Sequence, residues 1–161
     1  RYLGLGLETI TASLKGEGVP AGAFLLKILF TAITLSFGGS GGIITPIFFI
    51  GATAGSAFGR ALGFDPALFA DMGMVGLLAG AANTPISASI MAIELFGPAI
   101  APYASVACVI SFLMTGHRSV YPSQVLSLAK SSSLTVAKGS EMRDAGTWNI
   151  TPVRKASAAV S

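Results

Sequence analysis

The residues of this 161-residue chain best suited to chemistry lie in one stretch, Gly38-Gly39-Ser40-Gly41-Gly42-Ile43-Ile44-Thr45-Pro46. Glycines on both sides of one small serine let the backbone turn sharply and present N–H groups with no side chain in front of them. Thr45 followed by Pro46 is a helix-start signal. Threonine caps a first turn, and proline at the first helical position gives up only an N–H that would be unpaired anyway. A helix beginning there aims its free N–H groups and the positive end of its dipole into the glycine loop, which is an anion-attracting arrangement. The loop residues Gly41, Gly42, Thr45 and Pro46 therefore read as an anion seat, and a β-branched residue at Gly42 is expected to disrupt the turn. In a chain with 20 glycines, close packing of helices is the competing explanation. The coupling of the loop to a helix start inside a hydrophobic run favours a site, since interrupted apolar segments line aqueous cavities in membrane proteins.

A second chemistry is written in the same residues. Gly38-Gly39-Ser40-Gly41 is a literal Gly-x-Ser-Gly and resembles the nucleophile motif of rhomboid-type intramembrane proteases, with His117 available as the base. The match is weak in so glycine-rich a chain. His117 adjoins Arg118 at the end of an apolar run, and the hydrolase reading leaves Thr45-Pro46 without a role.

The surrounding chain belongs in a bilayer. It is 52% hydrophobic and 11% charged, with a mean hydropathy of +0.74, which is too apolar for an ordinary soluble domain. No charge occurs between Lys27 and Arg60, and residues 72–93 and 95–116 are uncharged runs of about the ~20 residues that cross a hydrocarbon core. The net charge of +3 comes from the C-terminal end, where Lys130, Lys138, Arg143, Arg154 and Lys155 outnumber Glu141 and Asp144. Basic flanks stay cytoplasmic, so residues 130–161 are expected to form a polar cytoplasmic tail. The scattered basic groups form no nucleic-acid patch. The single Cys108 excludes an intramolecular disulfide and reads as a small buried hydrophobe. The chain opens on Arg1 with no apparent signal peptide, and looks like a piece of a longer protein.

In order, residues 1–18 read as a loop and a short amphipathic helix. A helix from Val19-Pro20 to about Phe37 carries one charge, Lys27, which either snorkels or faces protein. Pro46 to about Leu62 follows, with Gly51, Gly55 and Gly59 as a close-packing seam. Asp65-Pro66 caps the next helix, to about Ala82, in which Gly73, Gly76 and Gly80 form a further seam. Thr84 caps a helix from Pro85 to about Phe96. Its Glu94 invites a proton-relay reading, with a place at the water interface favoured beside Gly97-Pro98. A long apolar helix spans about Ala101 to Thr115, and Tyr121-Pro122 opens a short one to about Ala129.

Three stretches resemble the C-terminal half of the CLC family of chloride channels and chloride/proton antiporters. Gly42-Ile43-Ile44-Thr45-Pro46 is similar to the family's Gly-x-Phe-x-Pro filter motif, with likeness running on to Gly59. Gly73-Met74-Val75-Gly76 through Asn83-Thr84-Pro85 to Ile93-Glu94 resembles the following two helices, and Gly116-His117-Arg118-Ser119-Val120-Tyr121 the entry to the last. The resemblance implies an all-α polytopic membrane domain, the second half of an inverted-repeat fold, over residues 1–129. It implies transport of chloride or a similar anion without a cofactor, the anion being held by the N–H groups of Ile43 and Ile44 and the hydroxyl of Tyr121. It also implies a lipid surround, an N-terminal half carrying the serine filter loop and gating glutamate, and a homodimer through about 85–96 and 101–115. Ile44 stands where the motif has phenylalanine, which keeps the backbone donor and removes an aromatic edge.

Overall fold

In a computed structural model of the chain, residues 4–39, 42–116, 118–121 and 123–124 are described. The chain divides into two compact units, Arg1–Thr115 and Gly116–Ser161. Regular structure among the described residues is helical: α1 (Leu7–Leu14), α2 (Ala23–Ser36), α3 (Ile44–Leu62), α4 (Pro66–Ala82), α5 (Pro85–Phe96), a 3₁₀ turn at Pro98–Ile100, and α6 (Ala101–Thr115).

The stop and start signals act as local chemistry requires. Asp65 caps α4, its Oδ1 accepting from the Ala67 N–H at 2.9 Å, with Pro66 at the first helical position. The first four helices end in the same two-bond motif, in which N–H groups beyond the terminus return to orphan carbonyls. In α2 the Gly38 N–H donates to Leu35 O at 3.1 Å and the Gly39 N–H to Thr34 O at 2.9 Å. The left-handed residue this needs is Gly16, Gly38 or Gly63, and in α4 it is Asn83 at φ 59°. Asparagine is among the few other residues that tolerate that conformation.

Two starts differ from expectation. Residues Pro20–Gly22 form a turn, with the Ala23 N–H on Pro20 O at 2.9 Å, so α2 begins at Ala23 rather than Val19-Pro20. Gly22 is a poor helical residue and stays outside. The cap of α3 is Ile43, already at φ −76° and ψ −24°, and among the described residues no side chain caps the helix. Thr45 therefore lies inside the first turn and is not the cap. Pro46 sits at the third helical position, where its missing N–H again costs nothing. Thr84 occupies the cap position of α5 without a side-chain bond.

Helix α4 is the hub, in contact with α1, α3, α5 and α6, while α2 packs on α3. The α3 seam meets α4 at backbone distance: a Cβ on Gly59 would lie 2.9 Å from the Phe69 Cβ, and one on Gly55 would overlap the Phe69 carbonyl oxygen. The second seam is divided. Gly73 faces Gly51 of α3, whereas Gly76 faces Ala107 and Gly80 faces Ser111 and Thr115 of α6. The uncharged run 72–93 is likewise broken at Asn83-Thr84 into α4 and α5 and supplies no single span. Pro98–Thr115 is a continuous 18-residue apolar stretch with a mean hydropathy of 1.6, long enough to cross a membrane by itself.

One apolar core joins α4, α5 and α6 around Val75, Ala79, Ala88, Ala104 and Cys108, and a second joins α1 to α4 around Ile10, Phe49, Ala52 and Met74. Cys108 is buried and free, as its apolar setting requires. Helix α1 is tied down at both ends by cations. Arg60 donates to Gly16 O at 2.6 Å and Glu17 O at 2.5 Å, and Lys27 to Gly4 O at 2.5 Å.

Candidate functional site

The end of α2 and the start of α3 frame the site. Gly38 turns the chain out of α2, and Gly39 is pressed against Thr34, so closely that a Cβ would lie 2.7 Å from its Cγ2. Ser40 and Gly41 lie outside the described residues. Gly42 and Ile43 then lead into the 19-residue α3. Among the described residues nothing lies within 4 Å of a Cβ built on Gly42, and the tight approach in this loop is at Gly39.

Ile47 is the first residue of α3 whose N–H returns to the helix, reaching Ile43 O at 3.2 Å. Helix geometry leaves the N–H groups of Ile44 and Thr45 without an acceptor in their own helix, and Pro46 has none to offer. The terminus thus carries donors and partial positive charge with no basic side chain in its first turn.

A cleft of about 300 Å³ opens at this terminus. Gly39, Gly42, Ile43 and Pro46 line one side of it, and Lys27, Thr31, Thr34 and Leu35 of α2 line another, with Gly4 and Leu5 completing it. The structure therefore brings together Gly42, Ile43 and Pro46. Ile44 is 44% exposed and does not line the cleft. Thr45 is half-buried.

Lys27 is the residue that sequence reasoning left open. It is buried, at 4% exposure, with its ammonium 5.1 Å from the centroid of the Phe49 ring as well as on Gly4 O. It faces protein rather than snorkelling. The available signal was a lone charge in an otherwise apolar helix.

Tyr121 belongs to the second unit, Gly116–Ser161. Its N–H donates to the Ser119 Oγ at 3.1 Å, its carbonyl accepts from the Gln124 N–H at 3.2 Å, and its side chain is 38% exposed. Pro122 and the short helix expected to run to about Ala129 lie outside the described residues. Glu94 is exposed on α5.

Comparison with known proteins places these features. The family model described as voltage gated chloride channel matches residues 1–116. A chloride/fluoride channel protein of Pseudomonas syringae is 44% identical over 124 residues, covering 77% of this chain and 27% of the relative. The voltage-gated ClC-type chloride channel ClcB of Escherichia coli is 35% identical over 132 residues, covering 73% of this chain and 32% of its own length. The crystal structure of a CLC-type fluoride/proton antiporter superimposes with a TM-score of 0.69 at 29% identity, over 74% of this chain and 30% of that one. The chain thus spans about a third or less of the proteins it matches. These relatives are channels or transporters. Nothing supports the hydrolase reading, whose Ser40 and His117 both lie outside the described residues. The matches agree with the broken, glycine-seamed helices and the uncapped α3 terminus, and the chain belongs to the CLC family of voltage-gated chloride channels and antiporters, as part of its polytopic membrane fold.

Proposed function

We propose that the chain is the part of a membrane transport protein that holds chloride, fluoride or a similar small anion at the N-terminus of α3. The N–H groups of Ile43 and Ile44 are the donors there, and the family likeness adds the hydroxyl of Tyr121 as a donor to the transported anion. Gly41, Gly42, Thr45 and Pro46 shape the loop, and no cofactor takes part. One observation carries the reading: the cleft is lined by the residues that begin a 19-residue helix whose first N–H groups have no partner within it. Neutral donors suit an ion that must leave again, because a directly liganding cation holds it too firmly.

Ile44 in place of the motif's phenylalanine keeps the backbone donor and leaves out an aromatic edge, which suits a pathway that also admits fluoride, the ion named for two of the relatives. The remainder of the parent protein supplies the serine filter loop and gating glutamate, and two copies pair through α5 and α6 in the lipid with the basic tail in the cytoplasm. The chemistry is passage of an ion, as a channel or in exchange for protons, with no covalent step.

Purified full-length parent in proteoliposomes tests this. Chloride and fluoride efflux is expected, and Ile44→Phe is expected to retain it with an altered ratio of the two ions. Simultaneous recording of external pH separates channel from antiporter. An impermeable wild-type vesicle, or an efflux ratio in Ile44→Phe identical to wild type, would sink the assignment of this terminus.

A further inference from the structure

We infer that the Thr31 hydroxyl is a further donor to the ion in the cleft at the α3 terminus and biases that site toward fluoride over chloride; this rests on the reading of that cleft as part of an anion path. Helix α2 carries three hydroxyls, on Thr31, Thr34 and Ser36. In an apolar helix such a group ordinarily donates back to the carbonyl four residues earlier, because an unbonded hydroxyl is costly where water is excluded. Thr34 does so to Phe30 O at 2.7 Å, and Ser36 to Ala32 O at 2.8 Å. Thr31 does not. Among the described residues its hydroxyl forms no hydrogen bond, although the Lys27 carbonyl lies one turn before it.

Thr31 lines the cleft that Gly42, Ile43 and Pro46 border, from the wall that α2 supplies. Thr34 is the other hydroxyl-bearing residue of that lining, and its hydroxyl is committed to Phe30 O. The Thr31 hydroxyl is thus the one that remains to donate among the described lining residues. Backbone N–H groups at the α3 terminus meet an ion along the helix axis, and a hydroxyl on a second helix meets it from another wall. Both are neutral donors, so the ion is oriented without being trapped by a directly liganding cation. The gain differs between halides. Fluoride is compact and a strong acceptor, whereas chloride spreads the same charge over a larger surface and gains less from one added O–H. The preference of the site is the difference between those gains.

The experiment uses full-length parent in proteoliposomes and measures fluoride and chloride flux against concentration for wild type, Thr31→Val, Thr31→Ala and Thr31→Ser, with gel filtration of each. Valine keeps the branched shape without the O–H, alanine removes both, and serine keeps the O–H without the methyl. The half-saturating fluoride concentration is expected to rise about tenfold in Thr31→Val and Thr31→Ala, the worth of one hydrogen bond to a charged group, and that for chloride by no more than about threefold. Thr31→Ser is expected to keep the wild-type ratio of the two. A wild-type ratio in Thr31→Val or Thr31→Ala overturns the inference and leaves the hydroxyl as a hydrated side chain. A change of ratio that Thr31→Ser shares in full overturns it as well, because the methyl is then what matters. If only one of the valine and alanine variants is monodisperse, its ratio decides; if neither is, Thr31 serves folding and the inference fails. Absence of halide flux in the wild type would instead reject the anion path itself, leaving the two failures distinguishable.

Discussion

Gly51 of α3 and Gly73 of α4 face each other at backbone contact: a Cβ on Gly51 would lie 2.5 Å from the Gly73 carbonyl oxygen, and one on Gly73 would overlap the Gly51 carbonyl oxygen. Side chains cannot yield there, because the obstructing atoms are backbone on both helices. Gly51→Val is therefore expected to separate the α3–α4 pair, at a cost of at least the ~1–3 kcal/mol of an overpacked core. Gly76→Ala is the contrast. Its Cβ would meet Ala107 at 3.7 Å, an ordinary contact, and the helix gains up to about 1 kcal/mol of propensity. Thermal unfolding of the parent in detergent should show a lowered Tm for Gly51→Val and an unchanged or raised one for Gly76→Ala. Equal Tm values for both would remove the seam from the account of stability.

The loop at the site makes a paired prediction. Gly39→Ala drives a Cβ against the Thr34 methyl and carbonyl oxygen, at 2.7 and 2.8 Å, and weakens the bond that ends α2. Gly42→Ala meets no described atom within 4 Å. Halide affinity measured by calorimetry on the parent should fall in Gly39→Ala and hold in Gly42→Ala. The reverse order would mean that the loop is shaped by residues other than the Gly39–Thr34 contact.

Assembly is testable on the outer faces of α5 and α6. Ile93 is 38% exposed and Ile110 is 52% exposed, among other bare apolar side chains that include Ile90, Val106, Val109 and Leu113. A tryptophan at both Ile93 and Ile110 is expected to shift the parent from dimer to monomer by crowding the contact. Single-molecule photobleaching reads the stoichiometry directly, and an undiminished two-step fraction would move the interface elsewhere.

For Tyr121, removal of the hydroxyl alone is informative. Tyr121→Phe keeps the ring and deletes a donor to an anion, a charge-assisted bond worth about 1.5–3 kcal/mol, so affinity should weaken by roughly tenfold or somewhat more. Tyr121→Ala removes the ring as well and is expected to weaken affinity at least as much. If affinity and flux are unchanged in both, the tyrosine is an interfacial anchor.

The bounds of α4 and α5 were legible because their signals are local. Asp65-Pro66, Asn83 and Gly97-Pro98 act through their own dihedrals and nearest N–H groups, and the structure uses each where it stands. The start of α3 was misplaced by a residue or two for an equally local reason: proline is acceptable throughout a first turn, so Thr45-Pro46 could not say which position it occupied. The anion reading of the glycine loop and the family likeness also came from local order, the spacing of Gly42, Thr45 and Pro46.

What tertiary structure alone decided is where each helix face points. Gly73, Gly76 and Gly80 share one stripe of α4, yet its two ends meet α3 and α6, because crossing helices diverge after a few residues of contact. Whether Lys27 reached the water or the interior was undetermined by its neighbours in sequence, since a long stem permits both. Gly4 O, the Phe49 ring and the cleft at Ile43 settle it only when the segment before α1, α2 and α3 are brought together, and contacts between residues so far apart in sequence leave no local pattern to read.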